Sequence, residues 1–300
     1  MMTKIKFGVA LLVTMLIVTV SCKKDDGDEI TIVPPHDRGE EAIIAQAEIE
    51  TFLETHFYNY EEFQADPENF KLKFDTIADD NALKTPLMDQ VTFKELVDRV
   101  DNSVAYKLYY LVVREGGGER PHFSDYITNT YDGRMMDLEL FDSSVIPIRL
   151  DLNRTVAGLQ SVITEFKGAV GDPIENPDGT LSFEDYGIGA VFVPSGLGYF
   201  QYPTNVNINA YQQLIFSFEL FATELADHDG DGLPSYMEDI NSNQYGVDDD
   251  TDGDTISNYL DADDDGDGRL TKFEIEITNG VITFPDTDGD GTPDYLDADS

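Results

Sequence analysis

The first third of the chain carries a helical pattern of apolar residues. Apolar side chains recur three or four positions apart between about Glu40 and Phe57, which predicts an amphipathic helix. These positions are Ala45, Ile49, Phe52 and Leu53. Further on, Thr92 and Glu95 have the spacing of a capping box, which predicts the start of a second helix at Thr92. Residues 38–103 are therefore expected to be a helical N-terminal extension, which either packs on the following domain or serves as a dimerising arm.

From residue 104 onwards, the pattern changes to short runs of β-branched and aromatic residues. The first run starts at Ala105 with "YKLYYLVV" in it, and it ends in a glycine-rich turn. Similar runs cover residues 145–152, 189–195 and 214–222, and one short helical stretch covers residues 156–166. Several strands with one helix predict an α+β domain with an antiparallel sheet over residues 104–224.

Composition adds that the chain is globular and strongly acidic. Of its 300 residues, 41% are hydrophobic, which is enough for one or two packed domains and excludes a fully disordered protein. The formal net charge is -41, and residues 226–300 hold 23 acidic residues against only Arg269 and Lys272. Because a phosphate backbone would be repelled, the sequence predicts no nucleic-acid partner.

The N-terminus has the pattern of a signal peptide over residues 1–22. Two lysines precede an apolar run, residues 7–20, which is too short and too terminal for a spanning helix. Cys22, the only cysteine, follows this run and resembles the lipobox of bacterial lipoproteins. The resemblance implies a lipid anchor on Cys22 and a tether over residues 23–37. An ordinary secretory signal with an incidental thiol is the alternative.

The tether also indicates a location. Its "CKKDDGDE" start resembles the surface-export signals of some Gram-negative lipoproteins, although a solvated charged linker has the same composition. The expected location is the cell envelope, lipid-anchored at the outer membrane and exposed at the surface. The membrane is thus an expected partner through the lipid, and the sequence leaves the oligomeric state open.

Four segments within residues 104–224 resemble, in this order, the FKBP-type peptidyl-prolyl isomerases. They read "YDGRMMDLELFDSS", "VAGLQSVI", "VFVPSGLGY" and "INAYQQLIFSFEL". The resemblance implies an antiparallel sheet wrapped around a short helix, with an apolar pocket between them. It also implies proline-containing polypeptide segments as the partners, and no cofactor for catalysis.

The same resemblance assigns nine residues to the pocket and to catalysis. They are Tyr126, Phe141, Asp142, Ile148, Val156, Leu159, Tyr199, Ile208 and Phe216. By this resemblance, Tyr199 would hydrogen-bond the substrate carbonyl, and Asp142 would hold neighbouring groups in place.

Such a pocket suits prolyl isomerisation. The barrier to rotation comes from amide resonance and is about 18–20 kcal/mol. An apolar site disfavours the polar planar amide relative to the twisted one and so lowers that barrier. The chain departs from the family in having no Trp, with Leu159 in the place of the usual indole and Ile148 in the place of an aromatic residue. The alternative function is a calcium-dependent surface binding or adhesion protein whose pocket is not catalytic.

Residues 225–300 contain four twelve-residue segments that share one pattern of oxygen-bearing residues. Asp stands at positions one, three and five, a backbone carbonyl is expected at position seven, another oxygen ligand at position nine and an acid at position twelve, as in calcium loops. The predicted ligands are Asp227, Asp229, Asp231, Leu233, Ser235 and Glu238; Asp250, Asp252, Asp254, Ile256, Asn258 and Asp261; Asp263, Asp265, Asp267, Arg269, Thr271 and Glu274; and Asp286, Asp288, Asp290, Thr292, Asp294 and Asp297.

The spacing of these segments excludes a pair of EF-hands. The second and third segments start at residues 250 and 263, which leaves no room for two flanking helices. The arrangement resembles thrombospondin type-3 repeats of bacterial surface proteins, which implies structural calcium in place of a hydrophobic core and low regular structure. The second segment departs from the pattern, because Thr255 stands where the others have Gly. A solvated acidic tail without a specific site is the alternative.

Overall fold

Twelve strands and three helices account for the regular structure of the described residues. The computed structural model describes residues 34–68 and 70–300. The strands are β1 (His56–Tyr58), β2 (Phe74–Thr76), β3 (Thr92–Val97), β4 (Ala105–Arg114), β5 (Tyr126–Met135), β6 (Leu140–Asp151), β7 (Val170–Glu175), β8 (Leu181–Glu184), β9 (Gly187–Val193), β10 (Leu214–Glu224), β11 (Glu276–Thr278) and β12 (Val281–Thr283). The helices are α1 (Arg38–Thr55), α2 (Tyr60–Ala65) and α3 (Ala157–Ile163).

One six-stranded antiparallel sheet organises these elements, in the order β3-β4-β9-β10-β5-β6. The other strands form three two-stranded hairpins or ribbons, β1-β2, β7-β8 and β11-β12. Strand β9 is buried along its whole length. A strand with both faces covered reads as an unbroken apolar run, which explains the sequence "GIGAVFV".

Helix α3 covers one face of the sheet. Its residues Leu159, Val162 and Ile163 pack in one cluster with sheet residues such as Val191 and Phe216. The predicted α+β class, with an antiparallel sheet packed on a short helix, is confirmed in this coarse form. Helix α3 occupies the centre of the stretch predicted to be helical, residues 156–166.

Helix α1 covers the opposite face, where its apolar stripe forms a second core with the sheet. Ile49, Phe52 and Leu53 are buried there with Leu111 and Phe192. Alternate residues of a strand point to opposite faces, so β9 contributes Val191 to one core and Phe192 to the other. The helical extension predicted from the sequence is therefore an outer layer of the same fold.

The second predicted helix is wrong, because the segment starting at Thr92 is strand β3. It pairs with β4 from Thr92 opposite Tyr110 to Val97 opposite Ala105. The capping-box spacing is a local signal worth about 1 kcal/mol, and the backbone hydrogen bonds of a sheet edge outweigh it. Phe93 and Val97 also favour a strand. Residues 38–103 thus contain both helix and sheet.

The acidic tail has little regular structure beyond the hairpin β11-β12 and short 3-10 turns. Those turns are at residues 246–248, 258–260, 271–273 and 294–296, and others outside the tail are at residues 79–81, 87–89, 152–154 and 195–197. Leu233, Ile275 and Tyr295 form a small buried cluster within it. The tail thus has an apolar core of its own, which its composition did not indicate.

Several predictions from the N-terminus concern residues that lie outside the described ones. They are the signal peptide over residues 1–22, the lipid anchor at Cys22 and the tether up to residue 33. Within the described residues, no helix has the length and hydropathy needed to span a membrane.

Candidate functional site

A cavity of about 510 Å³ opens beside the start of α3, against strands β5, β6 and β10. Ligand sites in proteins have volumes of about 300–1,000 Å³. The residues lining it are Arg38, Arg99, Val100, Tyr131, Asp142, Leu150, Arg154, Thr155, Val156, Ala157, Leu159, Gly196, Gly198, Tyr199, Phe200 and Phe216. Its walls thus combine an apolar interior with a few charged groups.

Close packing of α3 on β9 brings Leu159 into the cavity wall. Gly158 makes this approach possible, because a Cβ at this position would lie 2.7 Å from Cγ1 of Val193. Such a distance is below any ordinary van der Waals contact, so a side chain here would push the helix away from the sheet. Leu159, the next residue, is 5% exposed and belongs to the core beneath the cavity.

A hydrogen bond between two polar side chains fixes one wall of the cavity. The hydroxyl of Tyr131 donates to Oδ2 of Asp142 over 2.6 Å. Burial and then this hydrogen bond raise the pKa of Tyr131, so the phenol stays protonated and remains a donor. The other oxygen of Asp142 accepts from the backbone N–H of Ser143 at 2.9 Å. The carboxylate is thereby held in one orientation at the cavity.

Five of the nine sequence-predicted pocket residues line this cavity, namely Asp142, Val156, Leu159, Tyr199 and Phe216. Phe141 and Ile208 are buried in the adjoining core. The ring of Phe141 meets that of Phe216 edge-on, with centroids 5.7 Å apart. These two residues therefore support the wall from behind.

The other two predicted residues, Tyr126 and Ile148, do not line this cavity. Ile127 and Tyr131 on β5 pack on the α3 side, and by strand alternation Tyr126 points to the other face. There its ring lies 3.4 Å beneath the guanidinium of Arg149 and is tilted against His228. Ile148 lies two residues before the cavity-lining Leu150 on β6, and it does not reach the cavity.

Sequence reasoning missed several lining residues. Tyr131 could have been predicted, because it lies on the same face of β5 as Ile127 when alternate positions are counted. Leu150 could have been predicted from the same alternation along β6. Arg38 and Arg99 had no local signal. They belong to the N-terminal layer, and only the tertiary fold brings that layer to the cavity.

Arg38 is fixed by a buried ion pair. Its guanidinium bonds both oxygens of Asp98 at 2.8 Å, donates to the carbonyl of Gly196 and lies 4.1 Å from the ring centre of Phe200. Burial alone would raise the pKa of Asp98, but hydrogen bonds from the backbone of Asp101, from Arg38 and from other donors outweigh it and lower the pKa. The pair ties α1 to the cavity rim.

Arg99 connects the cavity to the acidic tail. Its guanidinium donates to Oε1 of Gln160 at 2.5 Å and to the carbonyl of Gln244 at 3.3 Å. It also lies 4.1 Å from the ring centre of Tyr245. Gln244 and Tyr245 belong to the tail, between the first and second predicted calcium loops. A tail residue therefore holds a side chain of the cavity wall.

Two further ring contacts seat the tail on the domain. His122 stacks on Tyr236 with centroids 3.7 Å apart. His228 is buried between Tyr126 and Tyr259 and lies 3.4 Å from a carboxylate oxygen of Asp151. The tail thus packs against the sheet domain at several separate points along its sequence.

The four predicted calcium loops share one backbone conformation. In each loop, the N–H at position six donates to the Asp at position one over 3.0–3.1 Å. The carboxylate oxygens at positions one, three and five lie within 4.8 Å of one another. Thr255 adopts φ 81° at position six, where the other loops have Gly with φ of 95–104°. The second loop therefore keeps the shared fold at the cost of a strained β-branched residue.

The side chain at position nine joins the two ends of each loop. It accepts a hydrogen bond from the backbone N–H of position two in all four loops, over 2.6–3.3 Å. The residues at position nine are Ser235, Asn258, Thr271 and Asp294, and all four are buried. They close the loop, because a twelve-residue turn without helices needs its two ends joined. That these four side chains also bind a cation stays a prediction.

In the third loop, position twelve is a buried acid. Glu274 is 2% exposed, and no described residue makes a hydrogen bond to its carboxylate. Burial and then the carboxylate of Asp265 raise the pKa of Glu274 to about 7. The guanidinium of Arg269 lies 3.6 Å from Oε1 of Glu274 and offsets part of the repulsion from the neighbouring acids, and a bound cation would offset more of it. The hard oxygen donors of Asp263, Asp265, Asp267 and Glu274 fit calcium.

Comparisons with known proteins give likenesses that cover parts of the chain. No curated protein matches the chain. A family model described as BamM C-terminal matches residues 228–285, which lie within the acidic tail. That match covers a small part of the chain.

Similar solved structures include peptidyl-prolyl isomerases. One from Pseudomonas syringae pv. tomato is 17% identical with a TM-score of 0.35, over 61% of this chain and 96% of that chain. FkpA from Escherichia coli is 18% identical with a TM-score of 0.33, over 62% of this chain and 63% of that chain, less than two thirds of its length. The three FKBP domains of wheat FKBP73 are 16% identical with a TM-score of 0.33, over 45% and 51%. At these scores, the likeness does not assign an activity to this chain.

Proposed function

We propose that the chain is an FKBP-type peptidyl-prolyl cis-trans isomerase that assists protein folding at the bacterial envelope. The cavity beside α3 carries the proposal, because apolar side chains and the fixed Tyr131–Asp142 pair converge there. A prolyl ring would contact Leu159 and Phe216, and Tyr199 would donate to the substrate carbonyl.

The chemistry requires only the residues of the cavity. A twisted prolyl amide is less polar than a planar one, so transfer from water into an apolar wall favours the twisted form. The hydroxyl of Tyr199, as a donor to the substrate carbonyl, would then stabilise the twisted form further. The Tyr131–Asp142 hydrogen bond would keep the wall in the shape that receives the ring.

The first experiment is prolyl isomerisation on a proline-containing peptide, measured by magnetisation-exchange NMR with the full chain in detergent micelles. Tyr199→Phe removes one hydrogen bond of about 1 kcal/mol and should lower kcat/KM about fivefold. Tyr202→Phe is the matched control, because Tyr202 is 76% exposed and lies outside the cavity. If the wild type binds the peptide without accelerating its isomerisation, the proposal of an isomerase is wrong and a non-catalytic binding protein takes its place.

We also propose that the tail binds calcium and that Cys22 carries the lipid anchor. The converging carboxylates of the four loops support the first proposal. Calcium should slow proteolysis of residues 225–300 relative to chelator, and equal digestion in both would contradict it. Labelling with an alkyne fatty acid should be lost in Cys22→Ala. Surface digestion of intact cells would test the expected outer-membrane display.

A further inference from the structure

A cluster of three carboxylates in the tail joins residues from two different loops. Asp231 and Glu238 belong to the first loop, at positions five and twelve, and Asp264 belongs to the third loop. Their carboxylate oxygens lie within 4.8 Å of one another. Asp264 stands at position two of its loop, which the twelve-residue ligand pattern does not use. The cluster therefore differs from the ligand set predicted for either loop, because it joins two first-loop residues to a third-loop residue that belongs to neither set.

All three side chains are removed from water. Asp231 is 3% exposed, Glu238 is 0% exposed and Asp264 is 1% exposed. Among the described residues, no group makes a hydrogen bond to either carboxylate oxygen of Glu238 or of Asp264, or to Oδ2 of Asp231. A buried charge without a partner is strongly disfavoured. Three buried carboxylates in contact are therefore stable only when protons or a cation between them neutralise the charge.

The donor set defines the class of ion. Carboxylate oxygens without His or Cys suit a hard cation and disfavour zinc or copper. Magnesium keeps several of its waters and needs a compact octahedral shell, whereas calcium accepts many protein oxygens in a flexible shell. A buried site made of three carboxylates therefore favours calcium.

We propose that Asp231, Glu238 and Asp264 form an inter-loop calcium site that ties the first loop of the tail to the third. Asp231 also belongs to the first-loop cluster with Asp227 and Asp229, so it would bridge two ions. The buried contact of Leu233 with Ile275 and Tyr295 lies in the same part of the tail. The ion would then hold the loops together over that small core. This inference rests on the proposal that the tail binds calcium.

The test is calcium titration by calorimetry on the chelator-stripped full chain in detergent. Asp264→Asn keeps the size of the side chain and removes one ligand charge, and we expect one fewer ion bound per chain. Asp299→Asn is the control, since it removes the same charge from an exposed position. It should bind as many ions as the wild type.

Urea unfolding of the tail gives a second, independent test of the inter-loop site. In chelator, Asp264→Asn should resist urea better than the wild type, because it relieves repulsion among three acids. In calcium, it should resist urea less well, because the ion has lost a ligand. Asp299→Asn should show no such reversal. A merely structural Asp264 would not change the order of stability with calcium.

The outcomes separate the two proposals. If Asp264→Asn and the wild type bind the same number of ions, the inter-loop site is wrong and calcium binding by the loops stands. If the wild type binds no calcium, both calcium proposals fail. Terbium is a further check, because Tyr295 lies close enough to interact electrostatically with all three acids. Tyr295→Phe should reduce terbium emission sensitised by tyrosine, and unchanged emission would contradict the location.

Discussion

Replacing Gly158 by Ala should destabilise the chain, although alanine is the better helix former. In a helix interior with open space, the change would stabilise by up to about 1 kcal/mol. Here the new Cβ would lie 2.7 Å and 2.9 Å from the two methyl carbons of Val193. Val193 is fully buried and β-branched, so it has little freedom to turn away.

The structure gives the magnitude of the effect. Overpacking a filled core costs about 1–3 kcal/mol, which exceeds the gain in helix propensity. We expect a net loss of about 1–2 kcal/mol in the free energy of unfolding. Since Leu159 follows directly on α3, the displaced helix should also alter the cavity and raise KM.

Urea denaturation and the isomerisation assay measure the two effects. The double variant Gly158→Ala with Val193→Ala should lose less stability than the sum of the single variants, because the smaller residue makes room for the added methyl group. Stabilisation by Gly158→Ala alone, with unchanged KM, would refute the close packing of α3 on β9 and its role in forming the cavity.

Four further predictions concern the cavity and the tail. Tyr131→Phe removes a charge-assisted hydrogen bond of about 1.5–3 kcal/mol and should lower kcat/KM at least tenfold; wild-type activity would contradict the role of the Tyr131–Asp142 pair. Asp98→Asn should cost about 3 kcal/mol of stability near neutral pH. Because folding lowers the pKa of Asp98, its contribution is full above about pH 4 and is lost at lower pH, so the difference from the wild type in urea unfolding should close on acidification; a constant difference would refute the pair. Thr255→Gly should raise the protease resistance of the tail, because it relieves about 1–2 kcal/mol of backbone strain at φ 81°; unchanged resistance would contradict that strain. Tyr245→Ala removes the ring beneath Arg99 and should raise KM a few-fold with little change in kcat; an unchanged KM would separate the tail from the cavity.

The sequence alone was sufficient for the local features. The periodicity of Ala45, Ile49, Phe52 and Leu53 predicts α1, and the short β-branched runs predict the central strands. Both patterns are visible in the sequence because burial of one or both faces of an element requires apolar residues at regular positions. The alternate aspartates of the tail likewise predict that three carboxylates converge within each loop, since those contacts span five residues.

Only the tertiary structure decided which distant residues meet. Strand β3 forms because β4 supplies its hydrogen bonds, against the local capping signal at Thr92. Arg38 and Arg99 reach the cavity through packing of the N-terminal layer, and Asp264 reaches Glu238 through the folding of the tail. Such contacts depend on the total apolar area that whole faces of helices and strands bury. A one-residue change of strand register would turn the buried side chains of a strand to its other face. That is why Tyr131 lines the cavity, and Tyr126, on the same strand, faces the tail.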